Sequence, residues 1–267
     1  MTHKVVLILV DGLGYETAVH HCGYLEGRVA AGRGRRRRML AELPSMSRPL
    51  YHTIHTGLGP VAHGITSNDT VRTSDVPSVF SLARAAGRTT AAAAYSWFSE
   101  LYVKAPFDAH ADSLRHDTSA DIQHGFYYVA DSFPDGDLFN AASALLHGFA
   151  PDYLLVHPMG CDHLGHAHGG QSAAYRTNAT KIDALIARFA PVWEARGHRV
   201  LVTADHGMNA DGYHGGTKDD VRHVPFYDLG ASPPDGDTDV SQLSVAPTVL
   251  DLMGLGVPST MVAPSLA

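Results

Sequence analysis

The sequence predicts an α/β fold: a mostly parallel sheet sandwiched by helices. Three observations carry that expectation. Short continuous apolar runs recur along the chain, as in strands covered on both faces. Between them lie segments whose apolar residues return every three or four positions, the period of a helix with one buried stripe. Alternation of the two patterns is the signature of strand-helix-strand units.

In chain order, Val5 to Val10 opens the sheet and runs into Asp11-Gly12. Tyr51 to Thr56 begins a helix just after Pro49, and Ser78 to Ala86 has helical spacing. Thr89 to Tyr95 reads as the second buried strand, and Leu138 to Phe149 as a helix. The strand Tyr153 to His157 follows, then the helix Ala173 to Arg196, the strands Arg199 to Thr203 and Val224 to Asp228, and the helix Ser241 to Met253. The stretch from Leu101 to Asp137 lacks periodicity; it reads either as an excursion covering the site or as an ordinary surface connection. Residues 1–267 fit one domain, since 45% hydrophobic content at this length fills a full core.

A formal charge of -7 argues against a general binder of nucleic-acid polymers. The local run Arg33 and Arg35 to Arg38 reads as a solvated helix face. Cys22 and Cys161 are the 2 cysteines, so no disulfide framework is indicated. The first apolar run, Val5 to Val10, is too short for a signal segment or a membrane span, which predicts a cytoplasmic protein without a membrane partner. Eighteen histidines stand against 20 lysines and arginines, so position must decide which of them carry chemistry.

Two stretches supply that position: Asp162-His163-Leu164-Gly165-His166 and Asp205-His206-Gly207-Met208, with His214 further on. Carboxylate and imidazole without thiolate suit zinc, manganese or iron. Asp162 and His166 are four apart and share one face of a helical turn. Asp11, Asp162 and Asp205 each follow an expected strand, and ligands in such sheets bind beyond the carboxyl ends of the strands.

The ordered set Val-Asp11-Gly, Leu-Pro44-Ser-Met-Ser47-Arg-Pro49, His63-Gly-Ile-Thr-Ser-Asn68, Asp162-His-Leu-Gly-His166, Ala-Asp205-His-Gly-Met208 and His214-Gly-Gly is similar to the alkaline phosphatase superfamily. More narrowly it resembles the type I phosphodiesterase and nucleotide pyrophosphatase branch. The C-terminal Val245 to Met253 is similar to the closing helix of sulfatases and phosphomutases, and the His-Gly-Gly spacing to that of the GPI ethanolamine-phosphate transferases.

The resemblance implies two divalent metal ions, zinc before manganese or iron. Asp162, His166 and His214 would hold one; Asp11, Asp205 and His206 would hold the second, toward which Ser47 would bridge as nucleophile. His223 rivals His214, and Ser45 rivals Ser47. Asn68 would donate its amide to a phosphate oxygen, the alternative being a loop cap in Thr66 to Thr70. Arg48 departs from relatives that place an apolar or aromatic residue there. It either selects a more anionic substrate or turns away into a surface ion pair.

The function expected is hydrolysis of a small phosphorylated substrate through a phosphoseryl intermediate on Ser47, as a phosphodiesterase or nucleotide pyrophosphatase. A phosphomonoesterase or phosphonate hydrolase selecting through Arg48 is the alternative. A non-catalytic metal-binding relative is the remote one.

Overall fold

The computed structural model describes residues 2–231 and 239–267. Its strands are β1 (Lys4–Leu9), β2 (Arg35–Leu40), β3 (Thr90–Tyr95), β4 (Leu114–His116), β5 (His124–Tyr128), β6 (Tyr153–Val156), β7 (His198–Thr203), β8 (His223–Asp228) and β9 (Val240–Ser241). They form one 9-stranded sheet in the order β4-β5-β3-β6-β1-β7-β8-β2-β9. The central run β5-β3-β6-β1-β7 is parallel throughout, while β4, β8 and β2 introduce antiparallel pairs. The α/β architecture with a mostly parallel sheet flanked by helices is therefore observed.

The apolar runs explain the centre. Val5 to Leu9 of β1 are fully buried, as are Tyr153 to Val156 of β6 and Val200 to Val202 of β7. Continuous apolar sequence is what a strand needs when helices cover both of its faces. Ala91 to Ala94 make β3 thin enough for the helix Asp135–Phe149 to pack close against it.

The arginine run is a correction. Arg35 to Arg38 do not form a helix face but build β2, antiparallel to β8 from Arg35↔Asp228 to Leu40↔His223. Two of its guanidinium groups meet carboxylates, Arg36 with Glu26 and Arg38 with Asp239. Part of the stretch from Leu101 to Asp137 belongs to the sheet: it contains β4 and β5, and β5 joins β3 to extend the sheet edge.

The expected helices appear with shifted ends. Ser78 caps the helix Val79–Ala85, accepting from the Ser81 N–H, while the Ser81 hydroxyl accepts from the Ser78 N–H. The helices Asp135–Phe149 and Ala173–Glu194 follow, and the C-terminal segment is a short 3-10 turn (Gln242–Ser244) leading into Val245–Leu252. Both cysteines are buried and unpaired. Among the described residues no helix is long and apolar enough to cross a membrane.

Candidate active site

The site follows from strand order. β6, β1 and β7 are adjacent and parallel, so their carboxyl ends share one edge. Asp11 leaves β1, Asp205 leaves β7, and Asp162 stands in the helix Gly160–His168 that follows β6. Gly12, at φ +72, makes the approach possible: a Cβ there would lie 2.8 Å from the Asp162 backbone. The turn is pinned by the Tyr175 hydroxyl, which donates to the Gly12 carbonyl and accepts from the Gly14 N–H. Gly165 likewise leaves room for Met208, whose side chain a Cβ would meet at 2.8 Å.

The nucleophile candidate enters from the side. Ser47 begins the helix Ser47–Thr56, and its Oγ lies 3.1 Å from His206 Nε2. Ser45, the rival, donates its hydroxyl to the Gly216 carbonyl, 2.8 Å away. Its own carbonyl accepts from His214 Nδ1, so Ser45 supports the site from outside.

The structure brings the predicted ligands into two overlapping groups. Asp162 Oδ1 is 3.4 Å from His166 Nε2 and 3.7 Å from His214 Nε2, and those two nitrogens are 3.1 Å apart. His206 Nε2 is 3.2 Å from Asp205 Oδ2 and 3.7 Å from Asp11 Oδ1. The His206 ring stacks on His214 at 3.7 Å, so His206 also stands within reach of Asp162 and His214 and joins the two groups. His223 sits away from this cluster, at the start of β8 near Asp219.

Two features of these residues fit divalent cations. Each imidazole directs Nδ1 at a backbone carbonyl: His166 to Gly212, His206 to Gly207 and His214 to Ser45. A carbonyl only accepts, so Nδ1 carries the proton and every Nε2 faces the cluster with a lone pair. Asp11 Oδ1, Asp162 Oδ1 and Asp205 Oδ2 are also buried without any hydrogen-bond partner. Buried polar atoms are nearly always paired, so three bare carboxylate oxygens facing three imidazole lone pairs form a donor set suited to cations.

The electrostatics agree. Burial, then Asp205 and Asp162, raises the Asp11 carboxyl well above its ordinary range. Burial, then Asp205 and Asp131, does the same to Asp162. Burial lifts Asp205 to about 6 against the opposing Gly12 N–H. Burial lowers His206 and His214 to about 3, so both are neutral at physiological pH.

Further residues surround this cluster. Asp11 Oδ2 is held by the Tyr51 hydroxyl and lies 3.2 Å from His157 Nε2, which leaves Oδ1 facing the cluster. His157 was within the expected strand, but only the fold shows its contact with Asp11. Asn68 Oδ1 accepts from the Arg48 N–H at 3.0 Å, which leaves the half-buried amide NH2 for a ligand.

Arg48 does not turn out to the surface. Its side chain is 1% exposed and its Nη2 donates to Glu100 at 2.7 Å, with Cζ 4.5 Å from the Trp97 ring centre. The guanidinium thus faces an internal carboxylate rather than a surface partner. A separate cavity of about 700 Å³ opens beside Gly14, His20, Arg38, Arg176, Met208 and Asp220, and of the candidate site residues only His223, the rival of His214, lines it.

Comparison with known proteins bears on this geometry. Residues 5–211 match the family model described as type I phosphodiesterase / nucleotide pyrophosphatase. The catalytic subunit of human GPI ethanolamine phosphate transferase 3 is 28% identical over 158 residues, 53% of this chain and 14% of that protein. The chain thus spans less than a fifth of the first curated relatives it matches. Murine ectonucleotide pyrophosphatase / phosphodiesterase 5 superposes with a TM-score of 0.73 at 12% identity, over 96% of each chain. The alkaline phosphatase PafA gives 0.70 at 12% identity, over 100% of this chain and 98% of that one.

Proposed function

The chain belongs to the type I phosphodiesterase and nucleotide pyrophosphatase family of phosphoryl-transfer enzymes, and from that premise we propose that it hydrolyses small phosphodiesters with Ser47 as nucleophile. The observation that carries this reading is Ser47 Oγ, 3.1 Å from His206 Nε2, where both donor groups meet. One group is Asp162, His166 and His214; the other is Asp11, Asp205 and His206, with zinc the first choice of cation over manganese or iron.

Bound there, divalent cations would favour the serine alkoxide, lower the pKa of an attacking water and screen the charge on phosphate. The chain's own groups do the rest. Ser47 Oγ forms a bond to phosphorus as the leaving alcohol departs, and water then cleaves the seryl ester to return Ser47 and a phosphate monoester. The Asn68 NH2, oriented because its carbonyl is held by the Arg48 N–H, donates to a non-bridging oxygen. The Ser47 N–H, at the positive end of the dipole of the helix Ser47–Thr56, would face the same anion, since the Arg48 N–H is taken by Asn68 and Pro49 has none.

The similarity to the GPI ethanolamine phosphate transferases favours a second reading, in which an alcohol takes the place of water in the second displacement. The test is turnover of bis-p-nitrophenyl phosphate and p-nitrophenyl phosphate by metal-loaded protein, with and without an added alcohol. The diester is expected to be the better substrate and Ser47→Ala inert. A diester rate unchanged in Ser47→Ala would remove the proposal.

A further inference from the structure

Arg48 is adjacent to the nucleophile, and its guanidinium is fully buried. A lone cation there would favour the most highly charged phosphate on offer, because a buried charge is little screened by solvent ions. The structure instead sets a carboxylate against it. Glu100, in the helix Ser96–Tyr102 that follows β3, accepts from Arg48 Nη2 with one oxygen and from the Phe107 N–H with the other. The backbone contact anchors Glu100 independently of Arg48.

The geometry of the pair differs from a purely structural bridge. Arginine and carboxylate in a structural bridge commonly meet through two parallel hydrogen bonds. Here a single nitrogen is used, and Arg48 Nε and Nη1 are buried without partners. What the pair does supply is cancellation of charge one residue from Ser47, behind the half-buried Trp97 face on which the guanidinium rests.

We infer that Glu100 is a specificity-determining residue: by neutralising Arg48 it makes the wall beside Ser47 favour phosphodiester monoanions over phosphomonoester dianions. This rests on the phosphoryl-transfer reading above. Freeing the guanidinium charge would stabilise both substrates, but the dianion by one additional charge interaction. The preference therefore tracks the net charge of the pair, and the two single substitutions have opposite signs.

The test measures kcat/KM for the two nitrophenyl substrates in wild type, Glu100→Gln, Arg48→Met and the double variant, with thermal melting of each. Glu100→Gln is expected to shift the ratio roughly tenfold toward the monoester, as a unit charge acting across about 10 Å of protein would. Arg48→Met should shift it away, and the double variant should return near wild type. Calorimetric binding of orthophosphate against diphenyl phosphate gives the same answer without turnover. Should wild type hydrolyse neither ester, the functional reading fails while this binding comparison still decides the inference. A ratio and an orthophosphate affinity both unmoved in Glu100→Gln and Arg48→Met would overturn it.

Discussion

Two clusters of imidazoles stand near the nucleophile helix, and they are wired differently. In the ligand cluster, His166, His206 and His214 each spend Nδ1 on a backbone carbonyl and point Nε2 at one another or at bare carboxylate oxygens. On the nucleophile helix and just after it, His52, His55 and His63 use both nitrogens. His52 meets Tyr102 and Ser74, His55 meets the Tyr51 carbonyl and the Tyr153 hydroxyl, and His63 meets Thr53 and the Ile65 N–H. A histidine with one free nitrogen beside unpaired carboxylates is built for a cation; one with both nitrogens paired is scaffold. Burial does not separate the two, since His206 and His55 are both fully buried.

The sharpest way to break this contrast is His206→Ala, which removes the imidazole that sits with Asp11 and Asp205 and also within reach of Asp162 and His214. Metal content and diester turnover should both collapse, by more than the ~100-fold typical of losing a supporting partner. Metal analysis of the purified variant checks this; full occupancy would put the cations elsewhere.

Stripping the cations with a chelator should come next in size. Binding to the folded state alone stabilises it by about 3 kcal/mol at a cation concentration a hundred times Kd. The melting temperature should fall and recover on adding zinc, and a melt indifferent to both treatments would contradict the donor assignment.

Smaller effects belong to the groups that aim a ligand. His157→Asn and Tyr51→Phe release Asp11 Oδ2 and should weaken cation affinity by roughly 10 to 100-fold, with the fold intact. Titration of metal-free protein reads this directly. Affinities equal to wild type would make both residues packing alone.

The scaffold cluster should move stability and leave metal content alone. His55→Phe strands the Tyr153 hydroxyl at a cost of about 1–3 kcal/mol. Burial lowers His55 from its ordinary value of 6.5 to about 4, so the folded protein binds fewer protons than the unfolded chain between those values. The stability this contributes is present above pH 6.5 and lost as pH falls toward 4, at about 1.4 kcal/mol per pH unit. Denaturant midpoints across that window should fall less steeply in His55→Phe than in wild type.

The same contrast says how much was legible in the sequence. β1, β3, β6, β7 and β8 were readable because aliphatic runs announce strands buried on both faces. β2 was not, since the partners that neutralise Arg36 and Arg38, Glu26 and Asp239, come from elsewhere in the chain. β5 hides in His124-Gly-Phe-Tyr-Tyr128, which lacks that aliphatic signal. Within the site, the Asp-His motifs and Ser47 stand in local patterns beside strand ends. Tyr51, His157 and Glu100 act through single contacts with residues 40, 146 and 52 positions away, and no local spacing encodes those.

The central claim is that Ser47 becomes covalently attached to phosphorus. Metal-loaded protein mixed with bis-p-nitrophenyl phosphate, quenched in acid within a turnover and digested, would be read by mass spectrometry. A p-nitrophenyl phosphoryl adduct is expected on the peptide carrying Ser47, absent in Ser47→Ala together with turnover. An adduct on another residue, or undiminished turnover by Ser47→Ala, would contradict it.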